Sequence, residues 1–135
     1  MFKKGYGHGG LPDRDMIASM YDFERQATPR ELDWEMTDSV VDHFFWLSVK
    51  EPARGQRIEA RMDENNNLHI NSEKVSNFTV HLDRRLIDAA KPITIQTGDR
   101  KQEVEYRPDI ETLCRSVAEM GDINLATDFE VQIQP

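Results

Sequence analysis

Apolar and polar residues alternate with a period of two along most of the chain after residue 30. The pattern is clearest in two short runs separated by Gly98-Asp99, a dipeptide suited to a tight turn that needs a positive φ. Ile93 and Ile95 lie on one face of the first run, and 103–106 repeats the alternation. These two runs therefore predict a β-hairpin.

Further segments alternate in the same way and predict more strands. In 57–63, one face carries Ile58, Ala60 and Met62, whereas the other face carries polar residues that include Glu59. The segment 40–49 is the most apolar and has aromatic residues at both parities. It predicts a central strand that is covered on both faces or contains a bulge. The other predicted strands are 31–36, 68–70, 78–82 and 129–133, and a short turn or helical piece is predicted at 84–90.

Two segments show helical spacing instead. The first is 13–26, where Pro12 precedes an acidic first turn and Thr28-Pro29 ends the helix. Its apolar residues are Met16, Ile17, Met20, Tyr21 and Phe23. The second is 110–120, with Gly121 in the position of a C-terminal cap. Residues 1–11 are rich in glycine and predict a loop.

These elements predict a mainly β protein. We expect an immunoglobulin-like β-sandwich of about seven strands, with an N-terminal helix and a short helix near 110–120. The chain has 135 residues, which is enough to bury a core without cross-links. We predict two parts: an N-terminal loop and helix over 1–30, and the β-sandwich domain over 31–135.

Composition narrows the classes of function. A formal net charge of −8 and the absence of a Lys/Arg cluster argue against nucleic acid and against an anionic membrane as partners. The longest apolar run is only 44–47, so we predict no transmembrane helix. Glycines follow Lys3-Lys4 where a signal peptide would be apolar, so we predict no signal peptide. The single Cys114 excludes an internal disulfide and a cysteine-based zinc site.

The histidines are the first candidates for chemistry. His8 lies between glycines, where a general base is accessible, but a base needs a nucleophile and an orienting acid. No Gly-x-Ser-x-Gly elbow occurs in the chain, so His8 alone is interpreted as part of a terminus without chemistry. His69 and His81 can meet across paired strands near Glu59 as a metal site, although a solvated sheet face is the favoured interpretation. His43 also lies in a predicted strand.

Two groups of residues rich in side-chain oxygen atoms are interpreted as a turn and a solvated surface. We predict no metal and no cofactor. The segment 63–67 resembles a calcium-binding loop but lacks the downstream glutamate, so it predicts a turn in which asparagine adopts the left-handed conformation. The acidic C-terminal third is interpreted as a solvated surface. Its residues are Asp109, Glu111, Glu119, Asp122, Asp128 and Glu130.

Aromatic side chains offer either a sugar-stacking platform or a core. The candidates are Trp34, Phe44, Phe45, Trp46 and Tyr106. Trp46 lies in an apolar run and is predicted to be core, whereas Trp34 has acidic neighbours and is the better candidate for an interface.

The order of these elements is similar to a known arrangement. It comprises Gly7-His8-Gly9, a helix running into 23–30, Leu32-Asp33-Trp34, 43–49, Leu68-His69-Ile70, 78–82 and Lys91-Pro92-Ile93-Thr94-Ile95. This order resembles the C-terminal end of bacterial α/β-hydrolase-fold enzymes of the esterase and prolyl-oligopeptidase-like kind. In those enzymes the last helix of the catalytic domain leads into a small β-sandwich.

The resemblance implies that His8 corresponds to the triad histidine and 13–26 to the last helix of a hydrolase domain. The nucleophile, oxyanion loop and triad acid would then be encoded upstream of Met1, in a longer gene. The implied function is a non-catalytic accessory domain with a structural or substrate-entrance role, in a periplasmic or secreted parent enzyme. The implied partner is a catalytic hydrolase domain, or a second copy bound through the N-terminal helix.

Two other functions remain open: an independent carbohydrate- or protein-binding module, and a metal-dependent enzyme at His69 and His81. The helix at 13–26 distinguishes the first of these from the accessory domain. In an independent module it should pack on the sandwich as a cap, whereas in an accessory domain its apolar face needs a partner.

Overall fold

The computed structural model describes residues 19–21, 23 and 26–135. These residues contain nine strands and one complete helix, so the predicted mainly β class is confirmed. The elements in chain order are β1 (Glu31–Glu35), β2 (His43–Phe44), β3 (Leu47–Ser48), β4 (Arg57–Met62), β5 (Asn67–Glu73), β6 (Phe78–Leu82), β7 (Ile93–Thr97), β8 (Arg100–Val104), α1 (Ile110–Met120) and β9 (Phe129–Ile133).

The strands form two sheets that bury side chains in one hydrophobic core. The five-stranded sheet has the order β1-β4-β5-β7-β8, and the four-stranded sheet has the order β2-β3-β6-β9. All pairs are antiparallel except β5 with β7. Trp34 of β1 stacks on Phe44 of β2 with ring centroids 5.8 Å apart, so the two sheets meet inside the core.

The period of two places alternate side chains in that core. Ile58, Ala60 and Met62 of β4 are buried, as are Leu68 and Ile70 of β5. Each large apolar side chain that leaves water in this way contributes about 1.5–3 kcal/mol. The predicted inward face is therefore confirmed, and the opposite face of the same strands is polar.

The predicted hairpin forms β7 and β8. Thr97 pairs with Arg100, which leaves Gly98 and Asp99 as a two-residue turn. Gly98 has φ of 57°, the left-handed value that glycine adopts without steric cost. Ile93 and Ile95 are buried in the core, so the strand register that this turn sets puts the apolar face of β7 inward.

The prediction of one central strand over 40–49 is wrong. The segment forms a hairpin of two very short strands, in which Phe44 of β2 pairs with Leu47 of β3. Phe45 occupies the turn with φ of 53°, and Val49 N–H donates to Asp42 O at 2.9 Å. Because the chain reverses direction within 44–47, its aromatic residues do not follow the alternation of a single strand.

Helix α1 begins and ends as predicted. The Asp109 side chain accepts a hydrogen bond from Thr112 N–H at 2.7 Å, and this satisfies a free amide of the first turn. Gly121 ends the helix with φ of 63°. Ser116 is the buried side chain of the helix, whereas the apolar residue Ile110 and the thiol Cys114 are exposed.

The predicted turn at 63–67 is also confirmed. Asp63 Oδ1 accepts hydrogen bonds from the backbone amides of Asn65 and Asn67, both at 2.8 Å. Asn66 has φ of 61° and is 1% exposed. Its side-chain amide donates to Asp88 O at 2.8 Å and accepts from Asp88 N–H at 2.8 Å, so the turn is fastened to the loop before β7.

The N-terminal predictions fall mostly outside the described residues. The loop over 1–11, His8 and most of the helix over 13–26 belong to this category. Ser19 and Met20 are helical, as that prediction requires. The domain boundary at residue 30 stays a prediction.

Candidate functional surfaces

The first candidate surface is apolar and comes from the part of the chain that precedes β1 in sequence. We call Met20, Tyr21 and Phe23 the exposed apolar segment, because their side chains are 68%, 85% and 81% exposed. None of the three belongs to the hydrophobic core. Large apolar side chains exposed close together in sequence are typical of a surface that another protein covers.

The chain is firmly held where it enters β1, just after this segment. Trp46 Nε1–H donates to Pro29 O at 2.7 Å, and the indole is almost wholly buried. Met62 N–H donates to Arg30 O at 2.8 Å, and Arg30 Nη1–H donates to Asp63 O at 3.1 Å. The core therefore fixes the position from which the exposed apolar segment departs.

The structure does not bring His69 and His81 together, so the less favoured alternative of a metal site between them is wrong. His69 lies on β5, between β4 and β7, whereas His81 lies on β6 of the four-stranded sheet. The two histidines are thus on different sheets, although Glu59 does lie near His69. Within 19–21, 23 and 26–135, no group of three His, Cys, Asp or Glu side chains is arranged to hold a metal ion.

The structure instead places His81 beside His43 and Ser48 on the outer side of the four-stranded sheet. The ring centroids of His43 and His81 are 5.7 Å apart. His81 Nε2 lies 2.7 Å from Ser48 Oγ, and His81 Nδ1 lies 4.0 Å from Glu130 Oε2. Ser48 Oγ and His81 Nε2 therefore share a hydrogen bond whose donor is set by the tautomer of the ring.

This environment keeps His81 uncharged at neutral pH. Burial lowers the pKa of His81 to about 4, and the nearby charges of His43 and Arg115 act in the same direction. The carboxylate of Glu130 opposes them, but the loss of hydration is the larger effect. The His81 side chain is only 13% exposed.

Ser48, His81 and Glu130 have the residue types of a catalytic triad, but their geometry differs from one. At 4.0 Å the His81–Glu130 distance exceeds a hydrogen bond, and Arg115 of α1 takes the carboxylate at 2.8 Å. The space beside His81 holds only about 10 Å³ and is closed by α1 residues such as Met120. An acyl group has no room there, so the cluster joins α1 to the sheet.

The aromatic residues mostly belong to the core. Trp46 is 1% exposed, so its predicted core position is confirmed. Trp34 is 5% exposed, and its prediction as an interface residue is wrong because position 34 has the inward parity of β1. Tyr106 is half-buried and donates to Asp128 at 2.7 Å. Burial and this carboxylate raise the pKa of Tyr106 to about 12.

Several acidic residues of the C-terminal third have structural contacts that the sequence did not indicate. Asp109 caps α1, Asp128 accepts from Tyr106, and Glu130 binds Arg115. Asp83, outside this third, forms an ion pair with Arg85, which also donates to Ala126 O at 2.6 Å. These contacts hold the segment between α1 and β9 against the end of β6.

The second candidate surface is a groove on the outer face of the five-stranded sheet. It has a volume of about 600 Å³ and crosses β1, β4, β5 and β7. We call it the sheet groove. Its outward side chains are Glu31, Asp33, Glu59, Arg61, His69, Asn71 and Gln96. The alternation of residues in 57–63 had placed Glu59 on a polar outer face. It did not indicate which strands lie beside β4 and β5, because β1 and β7 come from distant parts of the chain.

Comparison of the chain with family models, with curated proteins and with solved structures finds no match. The resemblance to hydrolase C-terminal regions therefore has no further support from relatives. No helix in the described part of the chain is long and apolar enough to cross a membrane.

Proposed function

We propose that this chain is a non-catalytic accessory domain that packs against the catalytic domain of an α/β-hydrolase of the esterase or peptidase type. The observation that carries the proposal is the exposed apolar segment. In an independent binding module these side chains should cap the sheets, but Met20, Tyr21 and Phe23 are mostly in solvent. Their exposure supports a surface that a partner domain covers.

The rigid entry into β1 supports the same proposal. Pro29 and Arg30 are bonded to the core through Trp46 and Met62, so a domain that precedes them would be held in a defined orientation. A structural role, or a place at the substrate entrance, needs such an orientation. The seven strands of five or more residues would correspond to the immunoglobulin-like sandwich of the proposed architecture.

The experiment compares the purified chain with a triple variant, Met20→Ser, Tyr21→Ser and Phe23→Ser. We expect the unmodified chain to self-associate through the segment, and the variant to sediment as a monomer with the same Tm. The Tm should not change because exposed substitutions alter stability by only about 0.5 kcal/mol or less. The matched control is Val40→Ser with Val41→Ser, which removes apolar side chains that are also exposed.

Two outcomes contradict the proposal. A fall in Tm in the triple variant but not in the control would show that the segment caps the sheets, as in an independent binding module. Hydrolysis of a chromogenic ester by the purified chain, abolished by His8→Ala, would show that the chain is itself an enzyme.

A further inference from the structure

The sheet groove suggests a second binding function, separate from the exposed apolar segment. Its outward residues share no position with Met20, Tyr21 or Phe23, and it lies on the outer face of the five-stranded sheet. Leu32, Ala60 and Ile70 of the same strands turn their side chains into the core. The floor of the groove is therefore paired backbone, which places the Cα atoms of the polar residues in fixed rows.

Strand register defines the first row. Glu31 pairs with Arg61, Arg61 with His69, and His69 with Gln96, so these four side chains follow one another across the sheet. Neighbouring strands are about 4.8 Å apart, so the row extends over about 14 Å. Asp33, Glu59 and Asn71 make a second row beside it. An extended ligand can lie across the strands between the two rows.

The three carboxylates of the groove pair with two arginines, Arg61 within the groove and Arg57 beside it. Arg61 Nε lies 3.2 Å from Glu31 Oε1. Arg57 Nη2 lies 2.7 Å from Asp33 Oδ2 and 2.8 Å from Glu59 Oε1. An ionic ligand would compete with these pairs, whereas a neutral ligand can use them as they are. Hydrogen bonds to such charged groups are stronger than those between neutral groups.

The remaining polar groups suit hydroxyl groups. Asn71 Nδ2–H donates to Glu59 Oε2 at 3.0 Å, which leaves its carbonyl oxygen available, and His69 and Gln96 have exposed side chains. A hydroxyl group donates one hydrogen bond and accepts two, so it can join a carboxylate to an amide or a guanidinium. We propose that the sheet groove binds a neutral, extended oligosaccharide.

The affinity should be modest because the two tryptophans that could stack on sugar rings are in the core. We therefore expect a weak Kd of about 1 mM. This prediction differs from an aromatic platform, which the sequence had left open and which binds by stacking.

The test is a titration of the ¹⁵N-labelled chain, followed by amide chemical shifts. The probes are neutral hexasaccharides of β-linked glucose, β-linked xylose, β-linked mannose and α-linked glucose, together with anionic hexagalacturonate. We expect at least one neutral probe to shift amides of β1, β4, β5 and β7. Asn71→Ala and Gln96→Ala should each weaken its binding about fivefold, the loss expected for one hydrogen bond.

The matched control is Gln132→Ala, which removes an exposed amide from β9 on the other sheet. It should leave the titration unchanged. The inference is overturned when no neutral probe shifts these amides at about twenty times the expected Kd. It is equally overturned when only hexagalacturonate binds, or when binding persists unchanged in both groove variants.

Discussion

Acid should destabilise this protein through His81. In the folded state burial lowers the pKa of His81 to about 4, whereas its value in the unfolded chain is 6.5. Below pH 6.5 the unfolded chain therefore binds a proton that the folded protein does not bind. The stabilisation is present in full above pH 6.5 and is lost as the pH falls towards 4.

The magnitude follows from the difference between these two pKa values. At 1.36 kcal/mol per pKa unit, a difference of about 2.5 corresponds to about 3 kcal/mol of stability. Domains of this kind are stable by about 5–15 kcal/mol, so the loss is a large share of the total. Between pH 6.5 and pH 5 the expected loss is about 2 kcal/mol.

Urea unfolding of the wild type and of His81→Gln, measured from pH 8 to pH 4.5, tests this prediction. Fluorescence of the buried Trp34 and Trp46 reports the transition. Because several carboxylates also titrate at low pH, the relevant quantity is the difference between the two curves. We expect that difference to narrow by about 2 kcal/mol between pH 6.5 and pH 5, since the glutamine cannot be protonated.

His69→Gln is the matched control, because His69 is exposed on the other sheet. Because this variant retains His81, its stability should still fall by about 2 kcal/mol more than that of His81→Gln between pH 6.5 and pH 5. Parallel curves for the wild type and His81→Gln would refute the assignment of a buried neutral histidine at this position.

Three further predictions concern the contacts that fasten the sheets. Asn66→Ala should lower the free energy of unfolding by about 3 kcal/mol in the urea assay, because it removes buried hydrogen bonds and places alanine at a positive φ. Asn66→Gly removes the same hydrogen bonds without strain at this φ, so its smaller loss separates the two causes. Gly98→Ala should lower the free energy of unfolding by about 1 kcal/mol through the positive φ alone, because an added Cβ meets nothing within 4 Å. An equal loss in Asp99→Ala would argue against the positive φ as the cause. Tyr106→Phe should lower the free energy of unfolding, measured by calorimetry, by about 1–2 kcal/mol. An unchanged Tm would mean that the hydrogen bond to Asp128 contributes nothing to stability.

The parts of the fold that were predictable are those determined by local sequence. The β7–β8 hairpin follows from alternating residues around Gly98-Asp99, and α1 follows from its helical spacing and from Gly121. The turn at 63–67 follows from asparagine, which tolerates a positive φ. In each case the residues that define the element are within a few positions of one another.

The β2–β3 hairpin was not predictable in this way because its turn has unusual residues. Phe45 takes a φ of 53° although it is neither glycine nor asparagine. Phe45 packs edge-on against its neighbour Phe44, and the long-range contact at this turn comes from the next residue, Trp46, whose indole N–H donates to Pro29 O. Strands of two residues are too short to show a periodic pattern in the sequence.

The candidate sites were less predictable than the fold, because they depend on which strands are neighbours. Alternation placed His69 and His81 on outer faces, but it does not indicate that β5 and β6 belong to different sheets. The same limitation concealed the pairing of His43 with His81 and the two rows of the sheet groove. Only the exposed apolar segment was visible in the sequence, as an amphipathic helix without an assigned partner.

As the accessory domain of a larger hydrolase, this chain would be translated together with a catalytic domain. The most direct test is to add an epitope tag after Pro135 at the native gene, and to determine the mass of the product and its labelling by a fluorophosphonate, which reacts with serine hydrolases. We expect a labelled product much larger than the 15.7 kDa of this chain. A product no larger than this chain with its tag, or a larger product that the reagent does not label, would contradict the proposed function.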